Sequence, residues 1–97
     1  MTKEQKEVCK ECVKKYGVDS QINVAIEEMS ELTKALCKWK RATLPADTMV
    51  LRDDVMEELV DVIIMTEQLK TMFSVSNEEM EAYIRVKINR QKERMDG

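Results

Sequence analysis

The sequence reads Glu27-Glu28-Met29-Ser30-Glu31 in one segment of helical periodicity and Glu57-Glu58-Leu59-Val60-Asp61 in the next. In each stretch two carboxylates stand three residues apart, so they lie on the same side of a helical turn. The surrounding apolar residues recur at the spacing of a buried helical stripe. A carboxylate at the margin of a core is costly to desolvate unless a cation neutralises it. The pattern predicts two packed helices with a cation between them.

The composition favours an all-α protein. Only two Gly and one Pro occur among 97 residues, 36% of which are charged, and strong helix formers are abundant. We expect one domain over residues 1–97, a bundle of about four helices with short connections. A core of this size is marginal by itself, so we also expect a homodimer or a dimer of dimers. Val60, Ile64 and Met72, at or beyond the edge of the third helix's stripe, support that expectation.

The net charge and the N-terminal sequence argue against several classes of function. The net charge of −3 argues against a nucleic-acid-binding protein, which needs clustered Lys and Arg. The first residues contain no apolar segment of signal-peptide type, and no apolar run approaches the roughly 20 residues of a membrane span. We therefore expect a cytoplasmic protein that does not act on a membrane.

Cys9 and Cys12 form a Cys-x-x-Cys sequence, which is compatible with zinc binding or redox chemistry. A zinc site needs two further ligands, yet the chain has no His and only Cys37 besides. We favour the alternative that these are reduced thiols on a helix in a reducing compartment.

The periodicity predicts four helices, over residues 2–16, 20–41, from between 48 and 53 to 73, and 77–94. Gly17 ends the first helix and Asp19 is the expected N-cap of the second. Pro45 interrupts the pattern after the second helix. Ser76 and Glu79 have the spacing of a capping box at the start of the fourth.

The acidic residues lie beside the predicted stripe of the second helix. Glu28 projects at the edge of this stripe, Glu31 one step further round, and Glu27 towards solvent. The stripe itself consists of Ile22, Ala25, Met29, Leu32, Leu36 and Trp39.

The third helix repeats this arrangement. Glu58 sits within the edge of its stripe, and Asp61 flanks it. If the two helices pack antiparallel, four carboxylates meet. The stripe consists of Val55, Leu59, Val62, Thr66, Leu69 and Phe73.

Oxygen ligands without His suit Mg²⁺ or Mn²⁺ and argue against zinc and against the Glu-x-x-His pattern of di-iron bundles. The alternative is that the acids are solvated surface charges. Two pairs of carboxylates occupy matching positions on the two helices, each at the edge of an apolar stripe. This arrangement favours a metal site over solvated surface charges.

These residues carry a resemblance to a family. The pattern Glu27-Glu28-x-x-Glu31, a gap of 26 residues and Glu58-x-x-Asp61 resembles the signature of the MazG-like all-α nucleoside triphosphate pyrophosphohydrolases, which include dimeric dUTPases. The likeness spans nearly the whole chain, which is similar in size to the short, single-domain, often phage-type members. It implies cleavage of a nucleoside or deoxynucleoside triphosphate to the monophosphate and pyrophosphate.

The resemblance also implies roles for individual residues. Glu28, Glu31, Glu58 and Asp61 correspond to the metal ligands, with Mg²⁺ as the expected ion. Glu27 or Glu31 would orient or deprotonate the attacking water, and the sequence leaves both open.

Residues of the second helix are candidates for substrate binding, each with a structural alternative. Gln21 would bond a base or sugar, or support the start of the helix. Trp39 would stack on a base, or belong to the core. Lys38, in the basic end of this helix, would attract the triphosphate, or belong to a solvated face at a helix end where cations also favour the helix dipole.

Arg85 and Asn89 are four residues apart on the last helix, in a region that resembles the family's closing phosphate-binding segment. The family commonly has Lys where Arg85 stands. Both residues lie away from the stripe of Met80, Ile84 and Ile88. They would reach a ligand only if that second face turns inward or crosses a subunit boundary.

Two other functions fit the same residues. The chain would be a non-enzymatic helical interaction module whose Met-rich stripes bind a partner helix, or a metal-binding protein without catalysis.

Overall fold

The computed structural model describes all residues 1–97 and consists of four helices without strands. The helices are α1 (Lys3–Tyr16), α2 (Val18–Arg41), α3 (Pro45–Met72) and α4 (Asn77–Asp96). The predicted all-α class and the number of helices are confirmed. None of the four combines the length and apolar character that a membrane-crossing segment needs.

Two helix starts differ from the prediction. Gly17, with φ of +89°, is the single residue between α1 and α2 and is the N-cap of α2 in place of Asp19. Pro45 begins α3, earlier than the predicted start between residues 48 and 53. Proline is favoured at the first helical position because an N–H there would have no intrahelical acceptor, so its absence costs no hydrogen bond. Pro45 therefore starts a helix where we expected a longer loop.

Helices α2 and α3 form an antiparallel pair. The side-chain amide of Gln21 donates to Oε1 of Gln68 across the contact, at 2.8 Å. One heptad further along α2, Glu28 meets Asp61, which lies one heptad back along α3. The contacts thus advance by seven residues along α2 while they go back by seven along α3, which defines an antiparallel pair. Seven residues is also the repeat of a coiled-coil contact.

The face of α2 that contacts α3 is rotated from the predicted stripe. Gln21, Ala25 and Ala35 are buried, whereas Met29, Leu36 and Trp39 are exposed. The contact positions alternate by four and three residues along Gln21, Ala25, Glu28, Leu32 and Ala35. The two alanines permit close approach of the helices, while Met29, Leu36 and Trp39 lie outside the contact. On α3 the buried residues are likewise Met65 and Gln68, while Leu59 and Phe73 of the predicted stripe are exposed.

Helix α4 stands apart from the other three. Helix α1 packs against α3 and α2 and buries Cys9 there. No Cα of α4 lies within 8 Å of a Cα of another helix, and every residue of α4 except Met80 is exposed. One hydrogen bond, from Nζ of Lys70 to Oδ1 of Asn77 at 2.6 Å, ties its first residue to α3.

The single chain is too open for a compact monomer. Its accessible surface is 7905 Å², against about 5,700 Å² expected for a compact protein of 11.3 kDa. Its radius of gyration is 16.5 Å, against about 12.5 Å for a compact domain of this length. Six residues are buried, and no large side chain is fully buried. Much apolar surface therefore lacks a partner within the chain.

The end of α3 is a Schellman turn. Ser74 has φ of +53°, the left-handed conformation that usually belongs to glycine. Its N–H donates to the carbonyl of Thr71 at 3.2 Å, and the N–H of Val75 donates to the carbonyl of Lys70 at 2.8 Å. These bonds satisfy two carbonyls at the helix end and fix the direction in which the chain leaves α3.

Replacing Ser74 by Gly is expected to stabilise the protein by about 0.5–1 kcal/mol, because the relieved left-handed strain exceeds the added entropy of the unfolded chain. Urea denaturation at one fixed protein concentration measures the difference. Ser30→Gly, an exposed position inside α2, is the control and should lose about 0.5 kcal/mol. Unchanged or lower stability of Ser74→Gly would contradict the assigned strain.

Candidate metal centre

Three carboxylates converge where α2 faces α3. Glu28 comes from α2, and Glu58 and Asp61, one helical turn apart, come from α3. One carboxylate oxygen of each lies within 4.8 Å of those of the other two, and all three residues are half-buried. The structure thus brings together three of the four predicted metal ligands.

Glu58 carries the clearest sign of a missing partner. Its Oε2 atom is buried and has no hydrogen-bond donor. A buried carboxylate oxygen without a donor or a cation is unfavourable because it has lost its hydration. The chain's ion pairs, Lys34 with Glu31, Arg52 with Asp53 and Lys70 with Glu67, all lie outside the cluster. Positive charge for these carboxylates is therefore not supplied by a direct ion pair.

The crowding of the acids raises the pKa of two of them. Burial is the largest cause of the raised pKa of Glu28, followed by the charge of Asp61 and a carboxyl hydrogen bond to it. Burial is also the largest cause for Glu58, followed by the charges of Asp61 and Glu31, then Glu57 and Asp54. Every contribution favours the neutral acid, which is the expected signature of a site that needs a cation.

Glu31 and Glu27 lie outside the three-carboxylate cluster. Oε1 of Glu31 accepts from Nζ of Lys34 at 3.2 Å, and its side chain is 50% exposed. Glu31 is still close enough for its charge to raise the pKa of Glu28 and Glu58. Glu27 is exposed and is not among the residues of the cluster. Of these two candidate bases, the structure places Glu31 nearer to the cluster.

The substrate-binding candidates fall into three different places. Lys38 lines a cavity of about 130 Å³ together with Glu31 and Glu58, beside the cluster. Trp39 is exposed near the end of α2. Arg85 and Asn89 lie on α4, which packs against no other helix, so a single chain does not bring them to the carboxylates.

Gln21 has a role that the sequence did not indicate. It is 6% exposed and bonded to Gln68, itself 4% exposed, so its amide links α2 to α3 instead of facing a cavity. Gln68 was missed altogether. The available signal was its spacing, since Asp61, Met65 and Gln68 follow one another at four and three residues. Glu57, whose charge acts on Glu58, was also missed.

The cysteines take no part in this site. All three are free thiols: Cys9 is buried, Cys12 half-buried and Cys37 exposed. Burial raises the pKa of Cys9, with smaller contributions from Glu67 and Cys12, so its thiol stays protonated near neutral pH. This environment favours the structural interpretation of the Cys-x-x-Cys sequence.

Comparisons with protein-family models, curated proteins and solved structures find no match to this chain. The fold and the site therefore define its class: a four-helix, all-α protein with a three-carboxylate cluster between α2 and α3. The resemblance to the MazG-like family remains a prediction from the sequence motif.

The raised pKa values predict how the stability of the metal-free protein depends on pH. In the unfolded chain, Glu28 and Glu58 ionise around their ordinary pKa of about 4.5, whereas in the folded chain they hold their protons to higher pH. The folded state binds more protons in this window, so both groups lower the free energy of unfolding as pH rises through it. Below the ordinary pKa this destabilisation is absent.

The double variant Glu28→Gln/Glu58→Gln is the reference for this prediction. In the presence of EDTA, the melting temperature should fall more between about pH 5 and pH 7 in the parent than in the double variant. Mg²⁺ should raise the parent's melting temperature more at pH 7 than at pH 5, because only ionised carboxylates bind it well. Identical pH profiles for parent and variant would contradict the assigned titration.

Proposed function

We propose that this protein is a Mg²⁺-dependent nucleotide pyrophosphohydrolase that cleaves a nucleoside or deoxynucleoside triphosphate to the monophosphate and pyrophosphate. The observation that carries the proposal is the cluster of Glu28, Glu58 and Asp61, with the buried and unpartnered Oε2 of Glu58. The sequence motif that contains these residues supplies the reaction, by resemblance.

The donor set fits a hard divalent cation. Glu28, Glu58 and Asp61 would hold Mg²⁺, or Mn²⁺, through oxygen atoms alone. Such an ion, when bound, neutralises charge on phosphate oxygens and lowers the pKa of a bound water. Half-burial of the three side chains limits competing hydration, so the site would favour a cation over free carboxylates.

Neighbouring residues would complete the chemistry. Glu31 would serve as a fourth ligand, or would accept a proton from the attacking water once released from Lys34; Glu27 is the alternative base. Lys38 would attract the triphosphate, because it lines the cavity next to the acids. Lys34, on the same cavity, would do so as well.

The proposed assembly is a homodimer or a dimer of dimers in the cytoplasm. The excess accessible surface of the single chain supports association, as does the exposure of Met29, Leu36, Leu59 and Phe73. Arg85 and Asn89 of α4 would reach a carboxylate cluster only across a subunit boundary of such an assembly.

The proposal is tested by incubating the purified protein with a panel of ribo- and deoxyribonucleoside triphosphates and Mg²⁺, and separating the products chromatographically. We expect the monophosphate and pyrophosphate in equal amounts, and none in EDTA. Release of orthophosphate with a diphosphate would assign a different bond. Glu7→Gln, an exposed acid on α1 outside the cluster, should act like the parent.

The alternatives give other results in the same experiment. Mg²⁺ binding by calorimetry without turnover of any triphosphate would support a metal-binding protein. Neither binding nor turnover would support a helical interaction module, which the exposed apolar side chains of α2 and α3 favour.

A further inference from the structure

Helix α4 carries an apolar stripe that is exposed in its own chain at every position after Met80. Met80, Ile84, Ile88 and Met95 recur at the spacing of one helical face. Ile84, Ile88 and Met95 are exposed, as is most of the helix. In proteins most helical stability comes from packing an apolar face rather than from intrinsic helix propensity. The stripe therefore needs a complementary surface.

The same chain contains an apolar groove without an occupant. It lies between α1 and α3, has a volume of about 410 Å³, and six of its seven lining residues are apolar. These are Met1, Val8 and Cys9 on the α1 side and Val60, Ile63 and Ile64 on α3. Val8, Val60 and Ile63 are each about half exposed. Its size and lining suit a row of aliphatic side chains from another helix.

Charges beside the two surfaces are complementary. Exposed acids flank the groove, with Glu4 and Glu11 on either side of Val8 and Glu57 one turn before Val60. Exposed cations lie along one side of the stripe of α4, where Lys87 precedes Ile88 and Arg94 precedes Met95, and the exposed acid Glu81 follows Met80 on the other side. Opposite charges along the rims would set the orientation of docking more than its strength.

The turn before α4 directs the helix away from the groove of its own chain. The Schellman bonds of Ser74 and Val75, the N-cap bond from Glu79 N–H to Oγ of Ser76 at 3.1 Å, and the Lys70–Asn77 bond hold this exit. Folding α4 back onto its own α3 would require a different turn. Docking on another molecule would require none of these bonds to break.

We propose that α4 is an exchanged arm, whose stripe docks into the α1–α3 groove of a second copy of this chain while that copy's α4 docks in return. Stripe and groove are different surfaces, so a two-fold pair makes the contact twice. The excess surface of about 2,200 Å² per chain matches the area that each partner buries in an obligate dimer. This pairing does not require the proposed hydrolysis, so it is measured without nucleotide and can fail independently of it.

The test compares two Glu substitutions on α4 by sedimentation velocity over a range of protein concentrations. Ile88 is 60% exposed and lies in the stripe, whereas Val86 is 51% exposed and lies on the opposite side. Ile88→Glu should weaken dimerisation at least tenfold, and Val86→Glu should leave it unchanged. A monomeric parent, or equal effects of the two substitutions, would overturn the proposal.

A mixing experiment tests whether the groove is the docking site. It also distinguishes a lost contact from a folding defect, because only correctly folded variants can form a mixed dimer. Val60→Glu should weaken dimerisation like Ile88→Glu. An equimolar mixture of the two variants should recover dimers, because the heterodimer retains one intact pair, the arm of the Val60→Glu chain in the groove of the Ile88→Glu chain. No recovery in the mixture, with both variants helical by circular dichroism, would overturn docking into this groove.

Discussion

Glu58→Gln is expected to lower Mg²⁺-dependent triphosphate hydrolysis by at least about 100-fold, since removal of even indirect support for a metal ligand costs 10- to 100-fold. Glu58 has the one buried, unpartnered carboxylate oxygen of the cluster. Gln preserves its size but removes the charge that would bind the cation. Activity at saturating Mg²⁺ and over a Mg²⁺ titration measures the loss and any change in metal affinity.

The same substitution should raise the melting temperature of the metal-free protein. Burial and the charges of Asp61 and Glu31 all oppose ionisation of Glu58, so a neutral side chain removes repulsion. Stability and activity would then change in opposite directions, which a folding defect cannot produce. Glu7→Gln, an exposed acid of α1 outside both the cluster and the α1–α3 groove, is the matched control and should alter neither. Full activity of Glu58→Gln would remove the basis of the proposed metal site.

The second large effect is expected at the buried amide pair. Gln21→Leu alone should destabilise the protein by about 1–3 kcal/mol, because it leaves the amide of Gln68 buried without a partner. The double variant Gln21→Leu/Gln68→Leu should recover most of this loss, since two apolar side chains of similar size replace both polar groups. Urea denaturation of the parent, Gln21→Leu, Gln68→Leu and the double variant at one fixed protein concentration gives the coupling energy between the two amides.

This cycle also decides what Gln21 does. If the amide only joins α2 to α3, the stable double variant should retain the parent's KM for its triphosphate. A double variant of parental stability with a much higher KM would instead restore the interpretation that Gln21 binds base or sugar. Additive destabilisation by the two substitutions would contradict the hydrogen bond itself.

The helices and the acidic cluster were predictable because their signals are local. Apolar periodicity marks a helix wherever its partner is, and Glu28, Glu58 and Asp61 occupy positions that an antiparallel pair brings together. The Lys34–Glu31 ion pair was not predictable, since it depends on side-chain rotamers that a helical wheel does not represent.

The orientation of α2 was not predictable for a different reason. Its large apolar residues, Met29 and Leu36 among them, form a stripe that suggests the core, yet the chain buries Ala25 and Ala35 instead. Helix α3 adds to the ambiguity because its apolar residues are spread around the helix and do not form one dominant apolar face. A single sequence does not distinguish an apolar face for its own core from one for another molecule.

The Gln21–Gln68 bond has a consequence for the specificity of helix pairing. Polar side chains in a helix–helix seam select one axial alignment at some cost in stability. A slip of one heptad between α2 and α3 would separate the two amides and would also move Glu28 away from Asp61. One buried hydrogen bond thus selects the axial alignment of α2 and α3. The same alignment brings the carboxylates of the cluster together.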